Sequence, residues 1–316
     1  MPNVLTSAPP PRGWLAFELS VLRRLRFRSL VNPFAGDPVL ETAVKRWGAQ
    51  IAVNDAARWA WIKGIARIEN NTERLTDEDT ATLLEDVYVP RHRLRNPALR
   101  RWFTETDAWW FDNLRDNTEQ LTGDVKQALA LELGMMVGDY ALSFDEATLE
   151  LRQPLSRVFQ RLRDAQAPPV NNSQRNTSHN KEARHFVAEQ RADLLFLRLP
   201  RPARTTTAAA ARRRDSHATW REEFVRGEGD FWDDFERARA GRLGARTETK
   251  GQYLRFVEEL LEAAGHLKTW AISHVESGYL TGDELVETVR RVRRVGTIYS
   301  KDFTELSGAR AVIVTA

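Results

Sequence analysis

A short turn, Asn32-Pro33-Phe34-Ala35-Gly36, is followed about 20 residues later by Asp55, an acid that closes the apolar run Ile51-Ala52-Val53. Glycine lets the backbone come close to a ligand, and a carboxylate at the tip of the next strand can accept the protons of two ribose hydroxyls. The chemistry on offer is recognition of a ribose-bearing cofactor. A second group of residues is basic. Arg198, Arg201, Arg204, Arg212, Arg213 and Arg214 fall in one acid-free stretch, and Arg91, Arg93 and Arg95 crowd another junction. Clustered guanidiniums match phosphate oxygens geometrically, so DNA contact is expected through these nine residues.

Other reactive side chains fall short of a constellation. Asp230, Asp233, Asp234 and Glu236 could ligate magnesium, but no matching acid or lysine accompanies them, so a solvated helix face is expected. The six histidines lack ligand spacing, and the absence of cysteine excludes both a thiolate zinc site and a disulfide framework. No metal is expected. Trp59, Trp61, Trp109 and Trp110 offer faces on which bases could stack, yet tryptophans belong mainly to cores. Arg290, Arg291, Arg293 and Arg294 would spread around a helix axis and read chiefly as surface.

The elements that must position the turn and the acid follow from periodicity. Leu15, Leu19, Leu22 and Leu25 recur at helical spacing, in a helix whose end is crowded by Arg23, Arg24, Arg26 and Arg28. Ser29–Val31, the turn, a helical run to Trp47, a stop at Gly48 and the run into Asp55 are the parts of a βαβ unit. From about residue 72 to 166 the pattern is helical, with capping-type starts at Thr76 and Thr104 and a long segment from Val125 to Leu142. After a loop at 167–173, Ala192-Asp193-Leu194-Leu195-Phe196-Leu197 predicts a buried strand. Residues 203–218 predict a basic low-complexity loop, 251–264 a helix, 267–273 a strand, Thr281 a helix start, and 296–299 and 311–314 strand-like tails.

The turn, the run Lys45-Arg46-Trp47-Gly48-Ala49-Gln50-Ile51-Ala52-Val53-Asn54-Asp55 and the following Ala66-Arg67-Ile68-Glu69-Asn70-Asn71 together resemble the opening of the Dam-like DNA adenine-N6 methyltransferases. Gly251-Gln252-Tyr253-Leu254-Arg255-Phe256 and the segment from Trp270 to Leu280 are similar to the late helix and strand of that family, so the resemblance brackets nearly the whole chain. It implies an α/β, Rossmann-like S-adenosylmethionine-dependent methyltransferase fold over 1–70 and 167–316, interrupted by a helical, target-recognition-like domain at 71–166. It further implies that Asn32, Pro33, Phe34, Ala35 and Gly36 turn over S-adenosylmethionine, that Asp55 holds the ribose, and that Glu182, before Ala183, stands in for an aspartate of the cofactor site.

The resemblance fails at the chemistry. The family's catalytic strand ends in Asp-Pro-Pro-Tyr, whereas here it runs into Arg198-Leu199-Pro200-Arg201. Adenine N6 needs an acceptor for its amino hydrogens and a ring to stack the extruded base, and arginine accepts nothing. A guanidinium beside the sulfonium would also repel it. Pro38 stands where a second glycine is expected, adding ring bulk and removing a donor, and Pro10-Pro11-Arg12-Gly13-Trp14 matches the family's N-terminal cofactor element poorly.

The expectation is therefore a catalytically inactive relative that binds double-stranded DNA, as a homodimer or beside an active subunit, with S-adenosylmethionine bound only if the degraded site still holds it. The other reading is an active adenine-N6 methyltransferase with relocated groups, Glu182 or Asp193. Length and composition suit either: 316 residues at 42% hydrophobic and 29% charged give a folded chain with a net charge of +3. No stretch is apolar enough for a signal peptide core or a membrane span, so a cytoplasmic protein is expected.

Overall fold

Leu194–Arg198 buries four successive side chains, the pattern of a strand covered on both faces, and it forms the middle of a seven-stranded sheet. The computed structural model describes residues 13–86, 94–145, 147–200, 216–276, 279–304 and 309–316. Its strands are β1 (Ser29–Asn32), β2 (Gln50–Asn54), β3 (Thr177–His179), β4 (Leu194–Arg198), β5 (Thr269–Glu276), β6 (Ile298–Phe303) and β7 (Ala309–Thr315). They are ordered β3-β2-β1-β4-β5-β7-β6. The first five run parallel, and β7 is antiparallel to both β5 and β6. The result is a mixed α/β, Rossmann-like fold.

Helices cover both sheet faces. On one side α1 (Trp14–Leu22) and α2 (Val39–Lys45) bury Trp14, Val21, Leu40 and Val44 against Ile51 and Phe196. On the other lie α8 (Ala183–Glu189), α11 (Lys250–Ala263) and α12 (Gly282–Val292), which bury Phe186, Phe256, Leu260 and Val289. Thr281 starts the last of these, as the sequence predicts, and does so with a reciprocal capping box to Glu284.

A third core is helical. It contains α4 (Asp77–Leu83), α5 (Glu105–Thr118), α6 (Asp124–Ala141) and α7 (Leu155–Asp164), with Thr76 and Thr104 capping α4 and α5. Two further elements complete it: α3 (Arg58–Gly64), which contributes Trp59 and Ile62, and α9 (Ser216–Arg226), which contributes Trp220 and Phe224. Small residues admit that last helix. A Cβ at Gly138 would stand 2.2 Å from the Trp220 ring, and one at Gly134 would stand 2.8 Å from Phe224. Helix α3 runs on into a π-helical turn, Ile65–Glu69, from which Arg67 reaches Asp37 at the sheet's carboxyl edge. Among the described residues no helix is long and apolar enough to cross a membrane.

Candidate functional site

Strand order reverses between β1 and β4, so their carboxyl ends diverge and leave the crevice in which open α/β sheets bind ligands. Asn32 ends β1 and Arg198 ends β4, which brings two of the sequence-predicted positions to this point.

The turn after β1 is held from beneath. The Asn32 side chain accepts the Phe34 amide at 3.0 Å and donates to Glu41 Oε1 at 2.6 Å. Ala35 donates to the Asn54 carbonyl at the end of β2. Gly36 adopts φ +54°, a left-handed conformation that glycine takes without strain. Its amide donates to Asp55 Oδ2 at 2.9 Å, while the other carboxylate oxygen accepts from Ala57 at 2.9 Å. The turn and the acid are thus joined directly. Burial pushes the Asp55 carboxyl up, against the pull of these two amides and of Arg239.

Asp37, next in the turn, reaches the helical body. It pairs with Lys63 of α3 and Arg67 of the π-helical turn, each at 2.7 Å, and Arg67 pairs in turn with the buried Glu132 of α6. Burial works against the Asp37 charge, but the two cations outweigh it and hold its carboxyl below the ordinary range. Pro38 occupies the N-cap of α2, where its carbonyl accepts from both the amide and hydroxyl of Thr42.

The end of β4 departs from expectation. An unopposed guanidinium was predicted at Arg198, but Nε and Nη2 lie 3.1 and 2.6 Å from the two oxygens of Glu18, which is fully buried on α1. Ser273 of β5 donates a third hydrogen bond to the same carboxylate at 2.7 Å. A buried acid with three donors and a paired cation meets its desolvation requirement, so Arg198 is fixed as an ion-pair partner. Leu199 extends the ladder by donating to the Ser273 carbonyl, and the Pro200 carbonyl accepts from Tyr253 at 2.8 Å. Beside this cluster Glu41 is also fully buried; its Oε2 has no hydrogen-bond donor among the described residues, and desolvation raises its pKa.

The crevice is roofed by the segment after α10 (Trp232–Arg239). Arg239 donates to the Gly244 carbonyl, and a Cβ at Gly244 would fall 3.3 Å from the Phe34 ring and 3.8 Å from Pro200.

Asp193, the other candidate for a relocated group, is placed away from the turn. It stands at the amino end of β4, where it accepts from the Arg28 amide and the Ser29 hydroxyl and lies 3.5 Å from Lys268. That is the opposite edge of the sheet from the turn. Glu182 does lie at the carboxyl side of β3, but its carboxylate caps α8 by accepting the His185 amide. Arg95 pairs with Asp116 at 2.9 Å. Arg91, Arg93, Arg201, Arg204, Arg212, Arg213 and Arg214 lie outside the described residues. Arg290 and Arg291 pair with Glu287 and Glu258, and Arg293 donates to the Leu267 and Gly265 carbonyls while stacking on Trp270.

Glu18, Glu41, Arg67, Glu132 and Arg239 were missed by the sequence reading. Glu18 gave a signal: it sits among Trp14, Phe17, Val21 and Leu22 on the buried stripe of α1, and an acid there demands a partner. Glu132 gave the same signal, as the one charged residue in the apolar run from Ala128 to Val137; Glu41, Arg67 and Arg239 sit in ordinary charged helical sequence. In comparisons with known proteins the chain matches no family model and no curated protein.

Proposed function

We propose that this chain is a catalytically inactive protein of the adenine-N6 methyltransferase type that binds double-stranded DNA. The observation that carries the reading is the Arg198–Glu18 pair at the strand switch point. The resemblance calls there for a carboxylate that accepts the target base's amino hydrogens. A guanidinium locked to a buried acid neither accepts nor moves easily, since freeing it would strand Glu18 without its countercharge.

The sheet supports the fold half of the proposal. Its order departs from the dinucleotide-binding 3-2-1-4-5-6 by an antiparallel strand inserted before the last, and the turn and acid lie at the switch point where a cofactor would bind.

The residues in the crevice fit S-adenosylmethionine poorly. Both Asp55 oxygens already accept backbone amides, Pro38 offers no amide, and Gly244 lies against Phe34 where a ligand would need room. DNA is proposed as the partner because the arginine-rich stretch at 198–214 follows directly on the carboxyl end of β4. No observation favours the active reading, since Asp193 faces away and Glu182 is committed to a helix cap.

The test is a pair of measurements on the whole chain. Calorimetry with S-adenosylmethionine and methyl transfer to plasmid DNA should both read zero, and turnover would overturn the inactive reading. Duplex binding should weaken steeply from about 50 to about 200 mM salt. The triple variant Arg212→Glu, Arg213→Glu, Arg214→Glu should abolish it. Salt-independent or unchanged binding would overturn the DNA half.

A further inference from the structure

The opposite edge of the sheet carries a second site. Helix α1 and helix α2 both end at the amino edge of β1 and β2, and between them lies a surface cleft of about 620 Å³, a size suited to a small organic ligand. Its floor is apolar, from Leu22, Leu25, Phe27 and Ala49. Its rim is basic and aromatic.

Helix α2 stops at Gly48, which takes φ +86° and donates to the Lys45 carbonyl, and the preceding Trp47 is 38% exposed. That exposure is unusual for the largest apolar side chain. Arg23 stacks on the ring, its guanidinium carbon 5.4 Å from the centroid. Arg28 lines the same cleft, and Arg24, Arg26 and Arg46 are exposed on the segments that form it. Among the described residues none of these five guanidiniums meets a carboxylate within ion-pair distance, although twenty-odd other pairs form across the molecule.

Two basic residues would suffice to offset two helix C-termini, each worth about half a negative charge. Five leave a surplus. Asp193, which accepts the Arg28 amide, is held by Ser29 and Lys268 as well.

An exposed indole at the mouth of the cleft, with Arg23 stacked on it and Arg28 in the lining, supplies the two contacts that recognise a nucleotide: a face for the base and forks for the phosphate. We infer that this cleft binds a nucleoside phosphate, through base stacking on Trp47 and phosphate contact by Arg23 and Arg28. Lipid headgroup phosphates share the charge but would leave the indole without a ring to stack.

The same chemistry reaches the cleft from two sources, a free nucleotide or a unit of a single strand. The probes are thymidine 5′-monophosphate and a fluorescein-labelled oligothymidylate about 12 nucleotides long, titrated by calorimetry and anisotropy into the full chain. Trp47→Ala should weaken binding about tenfold, and Arg23→Glu with Arg28→Glu should weaken it further and flatten its salt dependence. Binding of both probes assigns the free nucleotide; binding of the strand alone assigns the strand. Binding of neither, or equal binding by wild type and both folded variants, overturns the inference. If Trp47→Ala does not fold, the arginine pair, on the exposed rim, decides alone. The Arg212→Glu, Arg213→Glu, Arg214→Glu chain should bind thymidine 5′-monophosphate as wild type does, which separates this site from the duplex proposal.

Discussion

Arg198 and Glu18 close a two-pronged ion pair between the last residue of β4 and the buried stripe of α1. The pair joins residues 180 apart in sequence, and it sits where strand order reverses. Ser273 and Asn32 contribute polar groups from the two flanking strands, so the crevice floor is a polar layer built on three parallel strands. A network this enclosed is costly when half-made.

The first prediction concerns that cost. Arg198→Met strands the buried Glu18 carboxylate, and Glu18→Gln strands a guanidinium that is only partly covered. Removing one partner of a buried pair typically costs about 3–5 kcal/mol, so Arg198→Met should lose about 3 kcal/mol, the lower end, because Arg198 retains some solvent contact. Arg198→Met combined with Glu18→Gln should recover most of it. Urea unfolding midpoints of the three variants measure this. If the double variant is as unstable as Arg198→Met, uncompensated charge is not the cause.

Glu41 supplies a pH dependence. Burial outweighs the attraction of Arg198 and the hydrogen bond from Asn32, so the folded carboxyl holds its proton above the pH at which the unfolded chain releases it. For a carboxyl raised on folding, stability falls as pH rises from the ordinary carboxylate range through the raised value. Glu41→Gln keeps an acceptor for Asn32 and carries no charge to desolvate. The variant should match wild type in acid and exceed it at neutral pH, with the gap opening on the way. A constant gap between the two midpoints across that range would refute the assignment.

How far the chain could be read without its structure varies with how local the evidence is. Strands β1, β2, β4 and β5 and the caps at Thr76, Thr104 and Thr281 rest on neighbouring residues, and periodicity or a Thr three residues before an acid reveals them. Strand β3 escaped because Thr177-Ser178-His179 is three residues long and has no apolar alternation; its pairing with Ala52–Asn54 creates it. The turn and Asp55 were legible as candidates, but not their mutual hydrogen bond, which spends the acid on Gly36. Arg198 was read as an open charge because its partner lies 180 residues earlier. Nor does anything near Trp220 announce that it fills the space over Gly138.

That space gives a third prediction, in which one substitution has opposite signs at two helical sites. Gly138→Ala on α6 would push a methyl to 2.2 Å from a Trp220 ring that is itself fully buried, so something must shift. Overpacking of this kind costs about 1–3 kcal/mol. Gly251→Ala on α11 meets nothing within 4 Å and should gain up to about 1 kcal/mol from helix propensity alone. Thermal midpoints should move down for the first and up for the second. A stable Gly138→Ala would mean that α9 does not seat against α6 as described.

The fourth prediction turns on Lys45, which is fully buried at the end of α2 and donates to the Asn70 carbonyl at 2.7 Å and the Arg67 carbonyl at 3.4 Å. No carboxylate balances it among the described residues, and burial lowers its pKa from 10.5 to about 8. Below about pH 8 both folded and unfolded chains carry the proton, and the folded state bears the full cost of a buried charge. Between about 8 and 10.5 the folded amine is neutral while the unfolded one is still charged, so stability from this group rises with pH. Lys45→Met removes the titration but leaves the two carbonyls without their donor. Wild type should therefore gain on the variant as pH climbs through that window, read as the difference between their urea midpoints at pH values near 7 and near 10. A difference that stays flat would show that the amine keeps solvent access, and with it that the loop at Arg67–Asn70 does not close over α2.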